Sequence, residues 1–253
     1  MKDSANIKMQ LLDKYGNASS PESVDFCRAA YRFITEDEEP AVVPEVSPSG
    51  KETTVQAVDL GLPSGTLWAD RNVGAKAPED YGAFFSWGNT EPHYPMHKGI
   101  DWGDNDDAFD KENAFSSDNY EKSDGYKLNG DIDLSHDAAR INMGKPWQMP
   151  TSEQFQELYD NCTWERKTLN GINGYLVTSK INGNSIFFAC SGYCYGTSLS
   201  NRGSGGVYWS SSYYSAADAY YLYFDSSNVH PQGSDYRRYG FSVRAVQNLP
   251  TNK

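Results

Sequence analysis

The stretch KPWQMPTSEQFQEL, residues 145–158, carries the strongest structural signal in the chain. Pro150 presets the backbone for a helix start, and Thr151 stands where its side chain can cap the first turn. Three apolar residues follow at helical spacing and predict the buried face of this helix: Phe155, Leu158 and Tyr159. Trp147 and Phe155 would then fix the helix against a sheet.

Short segments of alternating apolar and polar residues lie around this helix in the sequence and predict β-strands. They are YGAFFSWG, NGYLVTSK, SIFFACSGY, GVYWSSS, YYLYFDSS and FSVRAV. In GVYWSSS, Trp209 alternates with small residues, which predicts a strand with one face on the core. In FSVRAV, Arg244 should point away from the side taken by Phe241, Val243 and Ala245. One helix among many strands indicates the α+β class.

The apolar positions of the last third of the chain predict which residues lie inside. Four residues are interpreted as core: Trp209, Phe224, Phe241 and Val243. Tyr221 and Tyr223 alternate with Leu222 and Phe224, so only one of these two pairs can face the interior. We expect Leu222 and Phe224 to do so.

Composition divides the chain into four segments: an N-terminal two-helix element (1–35), an acidic, proline-rich linker (36–56), a main domain (57–247) and a tail (248–253). Two short helices cannot bury their apolar stripes alone. We therefore expect them to pack on the main domain, on each other, or on another subunit in a homo-oligomer. Inside the main domain, the segment from Asp101 to Asp137 is interpreted as an extended acidic surface excursion.

The net charge of −12 and the pI near 4.7 exclude several partner classes. Nucleic-acid binding needs Lys and Arg to displace counterions, and anionic membranes repel an acidic surface. No run of 18 apolar residues is present, so membrane insertion is not expected. The first residues lack an apolar segment, so no signal peptide is predicted in the chain as given.

The four cysteines, Cys27, Cys162, Cys190 and Cys194, do not have the spacing of a zinc site. We interpret them as free, mostly buried thiols. A disulfide that joins Cys162 to Cys190 or Cys194 is the alternative for an exported protein.

Four segments carry a resemblance to a known family. They are VDLGLPSGTLWADRNVGA (58–75), YGAFFSWGNTEP (81–92), KPWQMPTSEQFQEL (145–158) and GVYWSSSYY…YYLYFDSS…RRYGFSVRAV (206–246). Together they resemble the paralogous domain family abundant in gut Bacteroidetes, some of whose members are surface proteins. This resemblance implies a C-type lectin fold, in the branch of the formylglycine-generating enzymes, over about residues 57–247. The string from Trp147 to Phe155 and the terminal GFSVR are its most specific parts.

The segment from Ser191 to Tyr239 is mostly Tyr, Ser, Gly, Asn and Asp, and it contains ten of the 18 tyrosines. Such a composition is typical of binding surfaces, because Tyr gives a large rigid contact at low entropy cost. C-type lectin domains of this branch also serve as the variable proteins of diversity-generating retroelements in phages and bacteria. There, adenines of a C-terminal repeat are rewritten, which yields this alphabet. The resemblance therefore implies a diversified ligand-binding protein on a phage particle or bacterial cell surface.

The ligand is expected to be a protein or a cell-surface group, bound without a cofactor. The variable-surface candidates lie in three loop regions: Tyr193, Tyr195, Ser198, Ser200, Asn201 and Arg202; Tyr213, Tyr214, Asp218 and Tyr220; Ser226, Asn228, His230, Gln232, Asp235 and Tyr236. A surface adhesin or structural protein of gut Bacteroidetes with a fixed sequence is the alternative function. An oxidase of the formylglycine-generating type is a weaker third.

Catalytic and metal chemistry are not predicted. Cys190 and Cys194 do not match the spacing or flanking residues of the copper-binding cysteine pair in formylglycine-generating enzymes. No G-x-S-x-G turn is present for a serine hydrolase. His93 and His97 lie in a proline-containing loop, and the acidic cluster 101–107 lacks the spacing of an EF-hand. We therefore expect neither an enzyme nor a metal protein.

Overall fold

The computed structural model of this chain describes residues 54–96 and 108–248. The predicted two-helix element, all of the linker but its last three residues, and nearly all of the tail lie outside these ranges. So do Cys27, His97 and the acidic cluster 101–107.

Within the described ranges the chain is mainly β. The strands are β1 (Ala57–Asp59), β2 (Leu67–Asn72), β3 (Phe84–Phe85), β4 (Cys162–Leu169), β5 (Ile172–Ser179), β6 (Ser185–Ala189), β7 (Tyr193–Tyr195), β8 (Ser198–Ser200), β9 (Gly206–Tyr213), β10 (Asp218–Phe224), β11 (Val229–Tyr236), β12 (Phe241–Ser242) and β13 (Arg244–Gln247). The helices are α1 (Ser117–Tyr120), α2 (Ala138–Met143) and α3 (Ser152–Asn161), with a single 3₁₀ turn at Gly125–Lys127. The prediction of a mixed α and β fold is confirmed at this coarse level.

The strands form four sheets. A five-stranded sheet has the order β11-β10-β9-β12-β3, and β1-β2-β13 and β4-β5-β6 form sheets of three strands. β7 and β8 form a hairpin. β12 runs parallel to β9, and the other neighbours are antiparallel. β11 is the outermost strand of the five-stranded sheet, and Pro231 lies inside it.

Helix α3 begins as its sequence predicts. Thr151 Oγ1 accepts a hydrogen bond from Gln154 N at 3.2 Å, and Gln154 Oε1 accepts one from Thr151 N at 2.9 Å. These two bonds form a capping box. Phe155 and Leu158 are fully buried as expected, but Tyr159 is 40% exposed, because it borders a surface groove rather than the core.

Two clusters of buried side chains lie on opposite faces of the central strands. The Phe188 core contains Leu60, Leu62, Trp68, Phe155, Leu158, Cys162, Tyr175, Val177, Ile186, Phe188, Cys190, Tyr208, Leu222, Phe224 and Val246. The Trp209 core contains Ala69, Val73, Ala83, Phe85, Trp87, Ala138, Ala139, Trp147, Met149, Val207, Trp209, Ala219, Phe241, Val243 and Ala245. Trp147 and Phe155 therefore do not act together on α3, because they belong to different cores.

Strand β9 is buried on both faces, which corrects the prediction of a single core face. Tyr208 lies in the Phe188 core, and its neighbour Trp209 lies in the Trp209 core. The predicted core residues Trp209, Phe224, Phe241 and Val243 are all buried. The expected alternation at the end of the chain is also present, but Arg244 points into the protein and is 0% exposed.

In the described part of the chain, two arginines are buried without an acidic partner in direct contact. Arg244 donates to Asn72 Oδ1 and to the carbonyl oxygens of Ala69 and Phe187. Arg237 donates to Tyr120 Oη and to the carbonyl oxygens of Gly125, Leu128 and Ala216. Each guanidinium therefore links segments that are far apart in sequence.

The segment predicted as a surface excursion is partly internal. In its described part, Phe109, Phe115 and Tyr120 are buried, and α1 begins at its N-cap Ser116. Helix α2 follows it and was not predicted. It is capped by Asp137, whose Oδ1 accepts a hydrogen bond from Arg140 N at 2.9 Å. None of the described helices is long and apolar enough to cross a membrane.

Candidate ligand-binding surface

Tyrosines from three parts of the chain meet around one surface concavity of about 350 Å³, which we call the tyrosine bowl. Its lining residues are Tyr193, Tyr195, Ser200, Val207, Tyr221, Tyr223, Asp235, Tyr239 and Phe241. They come from the β7–β8 hairpin, from β9, β10 and β11, and from the segment that enters β12. The bowl is the outer surface of the Trp209 core.

The alternation along β10 explains why two of these tyrosines line the bowl. Leu222 and Phe224 are 0% exposed and face the Phe188 core, as expected. Tyr221 and Tyr223 therefore emerge on the opposite face, where they are partly buried against the Trp209 core. Opposite Tyr221 on β11 stands Gly233, where a Cβ atom would lie 2.7 Å from the Tyr221 ring.

The ring of Tyr239 contacts three other tyrosine rings of this surface. Its centroid lies 5.2 Å from that of Tyr195, 5.6 Å from that of Tyr236 and 6.5 Å from that of Tyr193. On the rim, the guanidinium carbon of Arg238 lies 4.0 Å from the Tyr236 centroid. Neighbouring rings are inclined to each other, by 76° between Tyr195 and Tyr239 and by 34° between Tyr193 and Tyr239, so they form walls rather than a flat stack.

The tyrosine hydroxyl groups leave most of their hydrogen-bonding capacity free. Tyr223 donates to Asp225 Oδ2 at 2.7 Å. Among the described residues, the hydroxyl groups of Tyr193, Tyr195, Tyr221 and Tyr239 make no hydrogen bond. Burial raises the pKa of Tyr221 and of Tyr239, and it raises that of Tyr223 to about 12. These three groups are therefore neutral at physiological pH. Tyr221 and Tyr239 can both donate and accept, whereas Tyr223 donates its one O–H to Asp225 and can only accept.

Asp235 supplies the carboxylate of the bowl. Its Oδ1 accepts a hydrogen bond from Tyr236 N at 2.7 Å. Within residues 54–96 and 108–248 it forms no salt bridge. Its partial burial raises its pKa, and the nearby charges of Asp218 and Arg238 act on it in opposite directions.

The structure distributes the sequence-predicted residues over several places. Tyr193, Tyr195, Ser200 and Asp235 line the bowl, and Tyr236 stands on its rim. His230 and Gln232 line an adjacent groove of about 390 Å³ that shares Tyr221 and Tyr223 with the bowl. The remaining candidates lie elsewhere: Ser198 in β8, Asn201 and Arg202 before β9, Tyr213, Tyr214, Asp218 and Tyr220 at the β9–β10 turn, and Ser226 and Asn228 at the β10–β11 turn.

Two of these candidates hold the structure together, which corrects their interpretation as free loop contacts. The guanidinium of Arg202 stacks 4.3 Å from the Tyr81 ring centroid, and burial lowers its pKa. Tyr213 packs on Trp87, with ring centroids 6.2 Å apart, and its hydroxyl donates to Asn129 Oδ1 at 3.2 Å. Both side chains are therefore engaged in contacts within the fold.

Three tyrosines of the bowl were missing from the sequence-based candidates. Tyr221 and Tyr223 could have been found, because the inward assignment of Leu222 and Phe224 places them on the opposite face. Tyr239 gives no such local signal, since it follows β11 in a turn. Its place in the bowl depends on the three-dimensional return of the chain toward β7.

The described histidine and cysteines that were considered for catalysis or metal binding pack within the fold. His93 pairs by backbone with Phe84 and packs edge-on against Phe115 at 5.3 Å, and burial lowers its pKa. Cys162, Cys190 and Cys194 are buried free thiols, in agreement with the sequence interpretation. Among the described residues, no group of three or more His, Cys, Asp or Glu could hold a metal ion.

These thiols are expected to be unreactive in the folded protein. Burial raises the pKa of Cys162 and Cys190 to about 11 and raises that of Cys194 well above its usual value, and the thiolate is the reacting form. A Cys27→Ser variant of the full chain, treated at pH 8 with a chromogenic disulfide reagent, should release almost no colour within minutes. In concentrated guanidinium chloride the same variant should react at three thiols. Rapid native modification of Cys190 or Cys194 would contradict this result.

A family model described as Domain of unknown function (DUF8237) matches residues 145–246. The matched segment includes α3, strands β4 to β12 and every residue of the tyrosine bowl. No curated protein and no solved structure matches the chain.

Proposed function

We propose that this chain is a non-catalytic recognition protein of the C-type lectin fold that binds a protein or cell-surface ligand through the tyrosine bowl. The observation that carries the proposal is the convergence of five tyrosines on one concavity with mostly unbonded hydroxyl groups. Buried rigid rings with free polar ends give affinity through area and specificity through hydrogen bonds. The buried, protonated state of the cysteines argues against a thiolate-based oxidase.

We further propose that the region from Ser191 to Tyr239 is diversified by a retroelement, on a phage particle or a bacterial cell surface. The alternation in β11 supports this idea. Three of its four exposed positions, His230, Ser234 and Tyr236, are residues of the adenine-derived alphabet, and the fourth is Gln232. The residues beneath them, such as Leu222 and Phe224, are fully buried and outside that alphabet. Exposed residues that could vary and buried residues that hold the fold are therefore different residues of neighbouring strands.

Two libraries test whether this surface tolerates substitution. The outer library varies Tyr195, His230, Gln232, Ser234 and Tyr236 among Tyr, Asn, Ser, Asp, His and Gly. The inner library applies the same alphabet to Trp209, Leu222, Phe224 and Phe241. Most outer variants should resist protease, because exposed substitutions usually change the free energy of unfolding by less than about 0.5 kcal/mol. Most inner variants should be digested.

Equal digestion of the two libraries would refute the proposed variable surface. Selection of the outer library against a purified protein should also yield binders that lose binding when Tyr221 is changed to Ser. In the genome, a near-copy of the DNA for the C-terminal region, differing at adenines and close to a reverse transcriptase gene, would establish diversification. The absence of such a copy would favour an adhesin of fixed sequence.

A further inference from the structure

From the tyrosine bowl we infer the chemical class of its ligand: a quaternary or alkylated ammonium group held between the aromatic rings and Asp235. This inference rests on the proposed function and names what the same surface selects. It follows from the rings, from the unpaired carboxylate and from the hydrogen bonds that the bowl can offer.

The rings supply the first attraction. Five tyrosines and Phe241 line a space of about 350 Å³. Three of the ring pairs meet at 76° to 89°, whereas Tyr193 and Tyr239 meet at 34° and Tyr239 and Phe241 at 56°. Walls set at such angles present several ring surfaces to one small guest. The negative potential of an aromatic face attracts cations, and enclosure by several rings is how proteins recognise alkylated ammonium groups.

A cation of the protein itself, the guanidinium of Arg238, already stacks on tyrosine rings at the rim of the bowl. The guanidinium carbon of Arg238 lies 4.0 Å from the Tyr236 centroid and 5.2 Å from the Tyr239 centroid. Arg238 does not line the concavity itself, and no cation of residues 54–96 and 108–248 stacks on the rings of Tyr193, Tyr195 and Tyr221.

Asp235 supplies the second attraction. A partly buried carboxylate without a cationic partner has lost solvation that no ion pair replaces, so it gains most from an incoming positive charge. Among the described residues Asp235 forms no ion pair, although the charge of Arg238 acts on it from a distance, and its partial burial already disfavours the charged form. The net charge of −12 adds a general attraction for cations.

The bowl has one anionic acceptor, Asp235, and its other free acceptors are neutral hydroxyl groups, which selects the type of cation. A guanidinium binds best to a carboxylate whose two oxygens both accept from it, but Asp235 Oδ1 already accepts a hydrogen bond from Tyr236 N. An ammonium group covered by methyl or methylene groups needs few hydrogen bonds and gains from contact with ring surfaces. The bowl offers many rings and one carboxylate, which fits this second kind of group.

Titration of the full chain with choline tests the inference. Its control is the neutral isostere in which a carbon atom replaces the quaternary nitrogen, so shape is kept and charge is lost. Choline should bind saturably and at least about tenfold more tightly than the isostere in calorimetry. Asp235→Asn should weaken choline binding by about tenfold, whereas Asp118→Asn, an exposed change in α1, should leave it unchanged.

A second pair of variants separates the aromatic face from mere apolar bulk. Tyr195 is 55% exposed, so its replacement leaves the core intact. Tyr195→Phe should keep choline binding, and Tyr195→Leu should weaken it several-fold. Equal effects of Phe and Leu would overturn the aromatic part of the inference.

The outcomes also distinguish this inference from the proposed function. Equal binding of choline and its neutral isostere would overturn the selection of a cation but support a binding role for the bowl. No binding of either probe would overturn the inference alone, because the library selection tests the recognition of protein ligands independently.

Discussion

Arg244→Ala is expected to lower the free energy of unfolding by about 4 kcal/mol. The side chain is 0% exposed, and its removal leaves Asn72 Oδ1 and the carbonyl oxygens of Ala69 and Phe187 without donors. Each orphaned acceptor costs about 1–3 kcal/mol, partly offset because a cation no longer has to be desolvated. Urea denaturation followed by circular dichroism measures the change.

The position of Arg244 explains why the loss should be large. It lies in β13 and links β2 to β6, which belong to different sheets, and its guanidinium carbon lies 4.5 Å from the Phe188 centroid. Arg244→Lys should recover little, because an ammonium cannot donate in the same planar directions. The nearby Arg238→Ala is the matched control and should change stability by less than about 1 kcal/mol. A loss below about 1 kcal/mol for Arg244→Ala would contradict the assigned role.

Trp209→Ala is expected to destabilise the fold by about 4 kcal/mol. The indole is fully buried and stacks on Phe241, with ring centroids 4.0 Å apart. Its Nε1 donates to the carbonyl oxygen of Phe85 at 2.8 Å, so removal also orphans a buried acceptor on β3. Chemical denaturation gives the magnitude.

Two further variants separate the contributions at this site. Trp209→Phe keeps most of the ring volume and should lose about half as much, mainly through the missing N–H donor. Tyr214→Ala removes an aromatic ring that is 53% exposed and should cost less than about 1 kcal/mol. If Trp209→Ala were as mild as Tyr214→Ala, the Trp209 core would not contribute as its burial indicates.

Features that depend on neighbouring residues could be predicted from the sequence. The start of α3 at Thr151 follows from a cap and a partner three residues apart. The inward direction of Leu222 and Phe224 follows from alternation in a strand. Both are local rules, and both are confirmed.

Features that depend on distant parts of the chain could not be predicted in this way. Alternation places Arg244 opposite Phe241, but only the packing of β6 against β2 makes that opposite side a second interior. The same reason accounts for the burial of both faces of β9. Phe115 and Tyr120 are aromatic residues in a polar segment, and their burial depends on contacts with residues that lie far away in sequence.

The bowl was only partly predictable for a related reason. Composition pointed to the correct third of the chain, and Tyr193, Tyr195 and Asp235 were among the candidates. Composition cannot distinguish a tyrosine that packs on Trp87, such as Tyr213, from one that lines a concavity. That difference is set by which face of β9 or β10 each residue occupies.

Pro231 in the outermost strand β11 has a consequence for aggregation. A strand at the edge of a sheet exposes unpaired backbone groups to which another chain can add its own strand. If the side chains on β11 change from one variant to the next, some combinations will be apolar and favour such pairing. Pro231 has no backbone N–H and interrupts the row of donors whatever side chains surround it. The backbone itself thus limits self-association while the side chains are exchanged.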